Sequence, residues 1–133
     1  MKLRKTLLTA GTIATVTTAV LAGTGVASAD VDYDHVWPDN DGTAKVYVKE
    51  NGDVLSVCDT KADGKAARMH VYVGDEGDPR YSAYATNGKG TCVTRRAKDG
   101  GAYNLPEGRR IWVYFGNEDG AGNWTSRSYV NDH

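Results

Sequence analysis

The chain has 133 residues, of which 16 are basic and 17 acidic, so its formal net charge at pH 7 is −1. This length suits one small domain once any targeting segment is removed. The balanced charge argues against nucleic acid as a partner, because phosphate-binding domains normally carry a basic excess. The basic cluster at residues 95–98 is too short to change this interpretation.

The N-terminus has the three parts of a secretory signal peptide. A basic start, Met1–Lys5, precedes an apolar stretch from Leu7 to Leu21, and Ala27-Ser28-Ala29 has the pattern of a cleavage site. The alternative, a retained membrane anchor, is disfavoured because the Thr-rich apolar stretch is only modestly hydrophobic. We expect residues 1–29 to be a signal peptide cleaved after Ala29, and the protein to be secreted to the extracellular space with no membrane association afterwards.

Cleavage shifts the charge of the remaining 104 residues. Lys2, Arg4 and Lys5 leave with the signal peptide, whereas all 17 acidic residues follow Ala29. The mature chain therefore has 13 basic residues and a formal net charge of −4. This excess of acidic residues strengthens the argument against nucleic acid.

Residues 30–43 form an acidic N-terminal segment with five aspartates and no Lys or Arg. Apolar and aromatic residues nevertheless alternate within it, which predicts an edge strand ending at Pro38 rather than a disordered tail. Asp30, Asp32 and Asp34 offer the oxygen ligands of a hard-metal site. On an extended chain they lie about 7 Å apart, which is too far for one ion. We expect neither a metal site nor a cofactor.

Residues 44–133 are expected to form a single domain of short strands. Asn51-Gly52 between two alternating segments is a hairpin signal, and further turn sequences recur about every eight to twelve residues. The predicted strands are 44–49, 54–59, 66–73, 81–86, 91–97, 109–117 and 123–130. Seven to eight short strands without a helical pattern predict an all-β, antiparallel β-sandwich of the immunoglobulin-like or Greek-key type, with a Greek-key barrel as the alternative. We expect a monomer.

Residues 109–117 give the strongest strand signal. Ile111, Val113 and Phe115 fall on one face of this strand, and Arg110, Trp112 and Tyr114 fall on the other. Bulky residues on both faces are typical of a strand in the interior of its sheet.

Arg110, Trp112 and Tyr114 form a candidate binding face. A platform of aromatic rings with polar groups around it can stack sugar rings or anchor a protein partner. Tyr72 and Tyr129 are its expected neighbours on adjoining strands. The alternative is that loops or the acidic segment cover this face, with Arg110 packed over an aromatic ring.

Cys58 and Cys92 are the only cysteines of the chain. An even number in an exported protein predicts one disulfide. The alternative, a reactive thiol or metal ligand, requires a free cysteine.

The sequence contains no recognisable catalytic motif. Its histidines, His35, His70 and His133, lack metal-ligand spacing, and there is no His-Glu-x-x-His, Gly-x-Ser-x-Gly or glycine-rich phosphate loop. Two carboxylates for glycoside hydrolysis need only be close in space. A small secreted hydrolase therefore stays an alternative, but we expect no catalytic residue and no enzyme.

The loop containing Pro79-Arg80 suggests a second kind of function. Proline stiffens the backbone before an arginine, as in an inhibitor loop that mimics the substrate of a trypsin-like protease, because rigidity reduces the entropy lost on binding. An ordinary hairpin loop is the alternative.

The stretches 52–59 and 104–108, after a Thr/Ala-rich signal, resemble those of small secreted β-rich proteins of actinomycetes. The resemblance implies export and a compact β domain, and it assigns no functional residue. We predict a non-catalytic extracellular binding or surface-associated module whose partner is an unidentified protein or polysaccharide. An inhibitor of an extracellular hydrolase is the first alternative.

Expression of the full chain in a secreting bacterial host is expected to release a protein that begins at Asp30, because small residues at 27 and 29 fit the signal peptidase. Intact-mass spectrometry of the medium checks this. Ala29→Leu should reduce processing, and release of wild-type protein with residues 1–29 attached would contradict the assignment.

Overall fold

The computed structural model describes residues 32–117 and 124–133, which belong to one compact unit, Asp32–His133. The predicted signal peptide, 1–29, and its cleavage site at Ala29 lie outside the described residues, as do Asp30 and Val31. Within the described ranges the chain forms eight strands and two short 3₁₀ turns, and no helix there is long and apolar enough to cross a membrane.

The eight strands alternate with short turns along the chain. In chain order they are β1 (His35–Pro38), β2 (Ala44–Lys49), β3 (Val54–Asp59), β4 (Ala67–Val73), β5 (Tyr81–Ala85), β6 (Cys92–Arg95), β7 (Arg110–Asn117) and β8 (Thr125–Val130). The 3₁₀ turns, Ala97–Asp99 and Gly101–Tyr103, lie between β6 and β7.

The strands form two four-stranded antiparallel sheets. Their orders are β1-β2-β3-β6 and β5-β4-β7-β8. The predicted all-β, antiparallel β-sandwich is confirmed. β7 pairs with β4 on one side and β8 on the other, so the prediction of an interior position for this strand is also confirmed.

The core lies between the inner faces of the two sheets. Alternation assigns every second residue of β4 and β7 to this face, and Met69, Val71, Ile111, Val113 and Phe115 are fully buried as predicted. Removing each such side chain from water contributes about 1.5–3 kcal/mol to folding. The opposite faces of β4 and β7 are therefore free to present aromatic residues outward.

β1 is the edge strand that the alternation of the acidic segment predicts. It ends at Pro38 and pairs with β2, with His35 opposite Val48. The aspartate that follows it is structural, because Asp39 is buried and its carboxylate accepts hydrogen bonds from the backbone N–H and the hydroxyl of Thr43. The acidic segment thus contributes a strand to the sandwich and a side-chain cap to the next turn.

The expected place of Tyr129 beside the candidate binding face is wrong. In the register of β7 and β8, Tyr129 lies opposite Ile111, and it is only 4% exposed. Because paired residues share a face, the ring points into the core with Ile111 rather than outward with Trp112.

A buried hydrogen-bond cluster joins three distant segments of the chain. Asp53, in the turn after β2, accepts a hydrogen bond from the backbone N–H of Leu105 at 2.8 Å and another from Asn131 Nδ2 at 3.0 Å. All three residues are buried. Since an unpaired buried carboxylate is costly, this cluster fixes the C-terminal segment against the β2–β3 turn.

The predicted disulfide is present between Cys58 on β3 and Cys92 on β6. The two cysteines are directly opposite each other in the antiparallel ladder, with Cα atoms 4.0 Å apart. β6 is a four-residue edge strand whose one described partner strand is β3. The bridge therefore reinforces a short edge pairing.

The double variant Cys58→Ala/Cys92→Ala should lose about 4 kcal/mol of unfolding free energy, because the bridge restricts a 34-residue loop in the unfolded chain. Guanidinium denaturation of the oxidised wild type and the variant measures the loss. Reduced wild type is the control and should match the variant. Equal midpoints for the oxidised wild type and the variant would contradict this role.

Candidate functional site

Three aromatic side chains lie close together on the outer face of the β5-β4-β7-β8 sheet: Tyr72, Trp112 and Tyr114. In the register of β4 and β7, Tyr72 lies opposite Trp112, and Tyr114 lies opposite His70. The rings of Tyr72 and Tyr114 are nearly perpendicular, with centroids 5.3 Å apart. This arrangement places the positive edge of one ring against the negative face of the other, which stabilises the pair. Tyr114 is 38% exposed, so the cluster is accessible from solvent.

A groove of about 500 Å³ opens over these rings. We call it the aromatic groove, and its lining residues are Tyr72, Gly74, Asp75, Glu76, Trp112 and Tyr114. The aromatic residues come from β4 and β7, and the acidic ones come from the loop that follows β4. Asp75 and Glu76 are exposed, so their carboxylates can accept hydrogen bonds from a ligand beside the rings.

The backbone at the start of this loop explains how the carboxylates reach the groove. The N–H of Gly74 donates to the carbonyl of Arg110 at 2.7 Å, and the N–H of Glu76 donates to that of Val73 at 3.1 Å. Gly74 has a φ of +55°, and a Cβ there would lie 2.7 Å from Arg109 Nη2. Glycine therefore permits both the left-handed turn and the close approach of the arginine side chain.

Of the three residues predicted for the binding face, Trp112 and Tyr114 line the groove and Arg110 does not. Arg110 is exposed, and its Nη1 donates to Ser128 Oγ on β8 at 3.0 Å. The arginine that packs over a ring on this sheet is Arg68, whose guanidinium carbon lies 5.6 Å from the centroid of Tyr84. Within the described residues, the strand of the acidic segment, β1, belongs to the other sheet.

The aromatic surface continues from the groove toward β5. His70 lies 4.9 Å from Trp124 and 6.2 Å from Tyr84, measured between ring centroids. Its Nδ1 is 2.5 Å from the hydroxyl oxygen of Ser82 on β5. Burial, and secondarily the positive charge of Arg68, lower the pKa of His70. The neutral imidazole is thus favoured next to the aromatic rings.

The Pro79-Arg80 loop has a conformation typical of a hairpin connection. The backbone N–H of Arg80 donates to the carbonyl of Val71 at 2.6 Å, which extends the pairing of β4 and β5. The Arg80 guanidinium lies 4.0 Å from the carboxylate of Glu76, and both side chains are partly exposed. A substrate-mimicking loop presents a backbone free to pair with the protease, whereas the backbone N–H of Arg80 is already paired within the chain.

A second, smaller groove of about 280 Å³ lies beside the disulfide. Its lining residues are Tyr33, Tyr47, Ser56, Cys58, Cys92 and Thr94. The rings of Tyr33 and Tyr47 are 5.0 Å apart, and Lys45 Nζ is 5.5 Å from the centre of the Tyr47 ring. No carboxylate lines it among the residues that the structure describes, so the aromatic groove is the better candidate for recognising a polar ligand.

The sequence does not reveal that Asp75 and Glu76 belong to the aromatic groove. In the sequence they belong to the loop that contains Pro79-Arg80, and the aromatic partner Trp112 follows them by more than thirty positions. The available signal is two acids that follow, after one glycine, a strand whose outward residues include Tyr72. That signal becomes useful only when the pairing of β4 and β7 is known.

No family model, curated protein or solved structure matches this chain. The resemblance to small secreted proteins of actinomycetes stays a prediction.

His70 should make the folded protein less stable as the pH falls. Folding lowers the pKa of His70. As the pH falls below the ordinary histidine pKa of about 6.5, the unfolded chain therefore binds more protons than the native state, and the free energy of unfolding decreases. The loss begins as the pH drops from 7.5 and levels off below the native pKa of His70. Thermal melts of wild type and His70→Asn between pH 7.5 and 5 measure it. An equal decline in both proteins would contradict the assignment.

Proposed function

We propose that this protein is a secreted, non-catalytic binding module of the cell exterior, and that its ligand is a polysaccharide held in the aromatic groove. The observation that carries the proposal is the presence of three aromatic side chains and two carboxylates around one open groove. Sugar rings combine an apolar face of C–H groups with a rim of hydroxyl groups. The aromatic rings of the groove can stack on the C–H face, and its carboxylates can accept hydrogen bonds from the hydroxyl groups.

The aromatic residues suit a sugar face because they stand on paired strands. Tyr72 and Trp112 are directly opposite each other in the ladder, so their rings have little freedom to separate. Rigid aromatic side chains provide a large contact area at a small cost in conformational entropy. This favours stacking of one or two sugar units.

The carboxylates supply direction and specificity. Asp75 and Glu76 can accept hydrogen bonds from sugar hydroxyl groups, and hydrogen bonds to a charged acceptor are stronger than neutral ones. Glu76 also lies 4.0 Å from Arg80, which does not itself line the groove. A ligand with many neutral hydroxyl groups can donate hydrogen bonds to both carboxylates.

The shape of the site supports binding of a long chain rather than catalysis on a small molecule. The groove is open, and its aromatic and acidic residues include exposed side chains. Catalytic pockets usually enclose most of their ligand and exclude water. An open surface groove instead accommodates an internal segment of a polymer whose ends extend beyond the protein.

The proposed location outside the cell is supported by two independent features. The first is the signal-peptide pattern of residues 1–29. The second is the Cys58–Cys92 disulfide, which is typical of oxidising compartments.

Trp112→Ala should weaken polysaccharide binding at least tenfold, about 1.4 kcal/mol, because it removes one of the three aromatic side chains that line the groove. The oxidised exported protein would be screened against insoluble cell-wall and plant polysaccharides by co-sedimentation. Affinity for a retained polymer would then be measured by calorimetry.

Tyr84→Ala is the matched control, since Tyr84 is an exposed aromatic residue on the same sheet that does not line the groove. Glu76→Gln should weaken binding several-fold, whereas Asp78→Asn, in the same loop but outside the lining, should not. If retention is unaffected by Trp112→Ala, the aromatic groove is not the site. Stoichiometric inhibition of a trypsin-like protease that is lost in Arg80→Ala would instead support the inhibitor hypothesis.

A further inference from the structure

Three side chains with metal-ligating atoms lie close together where the segment after β8 meets the β2–β3 turn. Ligand atoms of Glu50, Asp132 and His133 all lie within 4.8 Å of one another. His133 Nε2 is 3.3 Å from Asp132 Oδ1 and 3.9 Å from Glu50 Oε2. Donor atoms bound to one zinc ion at about 2.0–2.2 Å are themselves roughly 3–4 Å apart. The cluster therefore approaches the spacing of a coordination sphere.

The central carboxylate is held in place before any ion binds. The side chain of Glu50 is only 13% exposed, and its Oε1 is 2.7 Å from His35 Nε2. Since a carboxylate accepts hydrogen bonds, Nε2 of His35 carries the proton. The backbone N–H of Glu50 donates to Asp34 Oδ2 at 2.7 Å. These contacts leave Oε2 as the oxygen nearer to His133. A hydrogen bond to the other oxygen of a ligating carboxylate helps to orient it toward a metal ion.

The approach of the C-terminal residues is also fixed by the fold. Asn131, which directly precedes Asp132, is fully buried and donates through Nδ2 to Asp53 at 3.0 Å. The backbone N–H of Asn131 donates to the carbonyl of Arg109 at 2.9 Å. Asp53 and Glu50 belong to the same turn, whose closing hydrogen bond joins Asp53 N–H to the Glu50 carbonyl at 3.0 Å. The buried Asp53–Asn131 hydrogen bond therefore holds Asp132 and His133 close to Glu50.

We propose that Glu50, Asp132 and His133 bind one divalent transition-metal ion of the zinc class, with His35 orienting Glu50. One imidazole and two carboxylates form a ligand set that zinc accepts, and three protein ligands leave a position for water. The ion would link the β2–β3 turn of one sheet to the segment that follows β8 in the other. It would also offset the charge of two neighbouring carboxylates.

Zinc chloride titration of the full exported protein tests this proposal. The protein is purified without a histidine tag, stripped with chelator and studied by calorimetry at pH 7.5. We expect one zinc ion per chain and a higher melting temperature with zinc, because an ion that binds only the native state stabilises it. Calcium at the same concentration should bind much more weakly, since imidazole is a poor calcium ligand.

His133→Asn and Glu50→Gln should each reduce zinc affinity at least tenfold. His133 is exposed, so its substitution leaves folding intact even if Glu50→Gln does not fold. His70→Asn is the control, because it removes a histidine outside the cluster. Unchanged zinc affinity in His133→Asn would overturn the proposal, as would calcium binding that equals zinc binding and survives this substitution.

The role of His35 as a positioning residue has its own readout. His35→Gln keeps an N–H donor toward Glu50 and should retain zinc affinity, whereas His35→Leu should lose about tenfold. The melting temperature of the metal-free proteins is recorded alongside. Equal zinc affinity for the two variants would overturn this role.

Discussion

The pairing of β4 with β7 is the constraint on which both the core and the aromatic groove depend. It sets seven residues of each strand opposite one another, with Val71 against Val113 on the inner face and Tyr72 against Trp112 on the outer face. A shift of one residue would send the aliphatic set outward and the aromatic set into the core. The free energy of burying the aliphatic side chains therefore also fixes where the aromatic rings stand. The geometry of the aromatic groove is in this sense a consequence of core packing.

A second constraint is polar and acts at one end of the sandwich. The Asp53 carboxylate binds Leu105 and Asn131, so that the β2–β3 turn, the segment before β7 and the segment after β8 meet at one buried group. Hydrogen bonds in a low-dielectric interior are directional, and leaving one partner out is costly. This cluster supplies a rigidity that apolar packing alone does not specify. The proposed zinc ligands depend on it because Glu50 and Asp132 lie within three residues of its members.

Much of the fold follows from local pattern. Period-two alternation in 44–49, 66–73 and 109–117 locates strands and identifies their buried faces, because a strand has only two faces. The two cysteines allow a single intramolecular pairing, and β3 and β6 bring them together. For the site, the same alternation places Trp112 and Tyr114 on one outward face. These properties depend on neighbours in the chain, so the sequence suffices to predict them.

The remaining features depend on which strands pair, and alternation carries no information about that. The acids after β4 line the groove with Trp112 only because β4 and β7 are adjacent, and Tyr129 turns inward because β8 pairs with β7 in a register that aligns it with Ile111. Glu50 and His133 are far apart along the chain and meet through the buried Asp53–Asn131 pair. Sequence by itself determined the strands, their inner faces and the disulfide. Tertiary structure decided which side chains meet, because strand order and register are set by the packing of the whole sandwich.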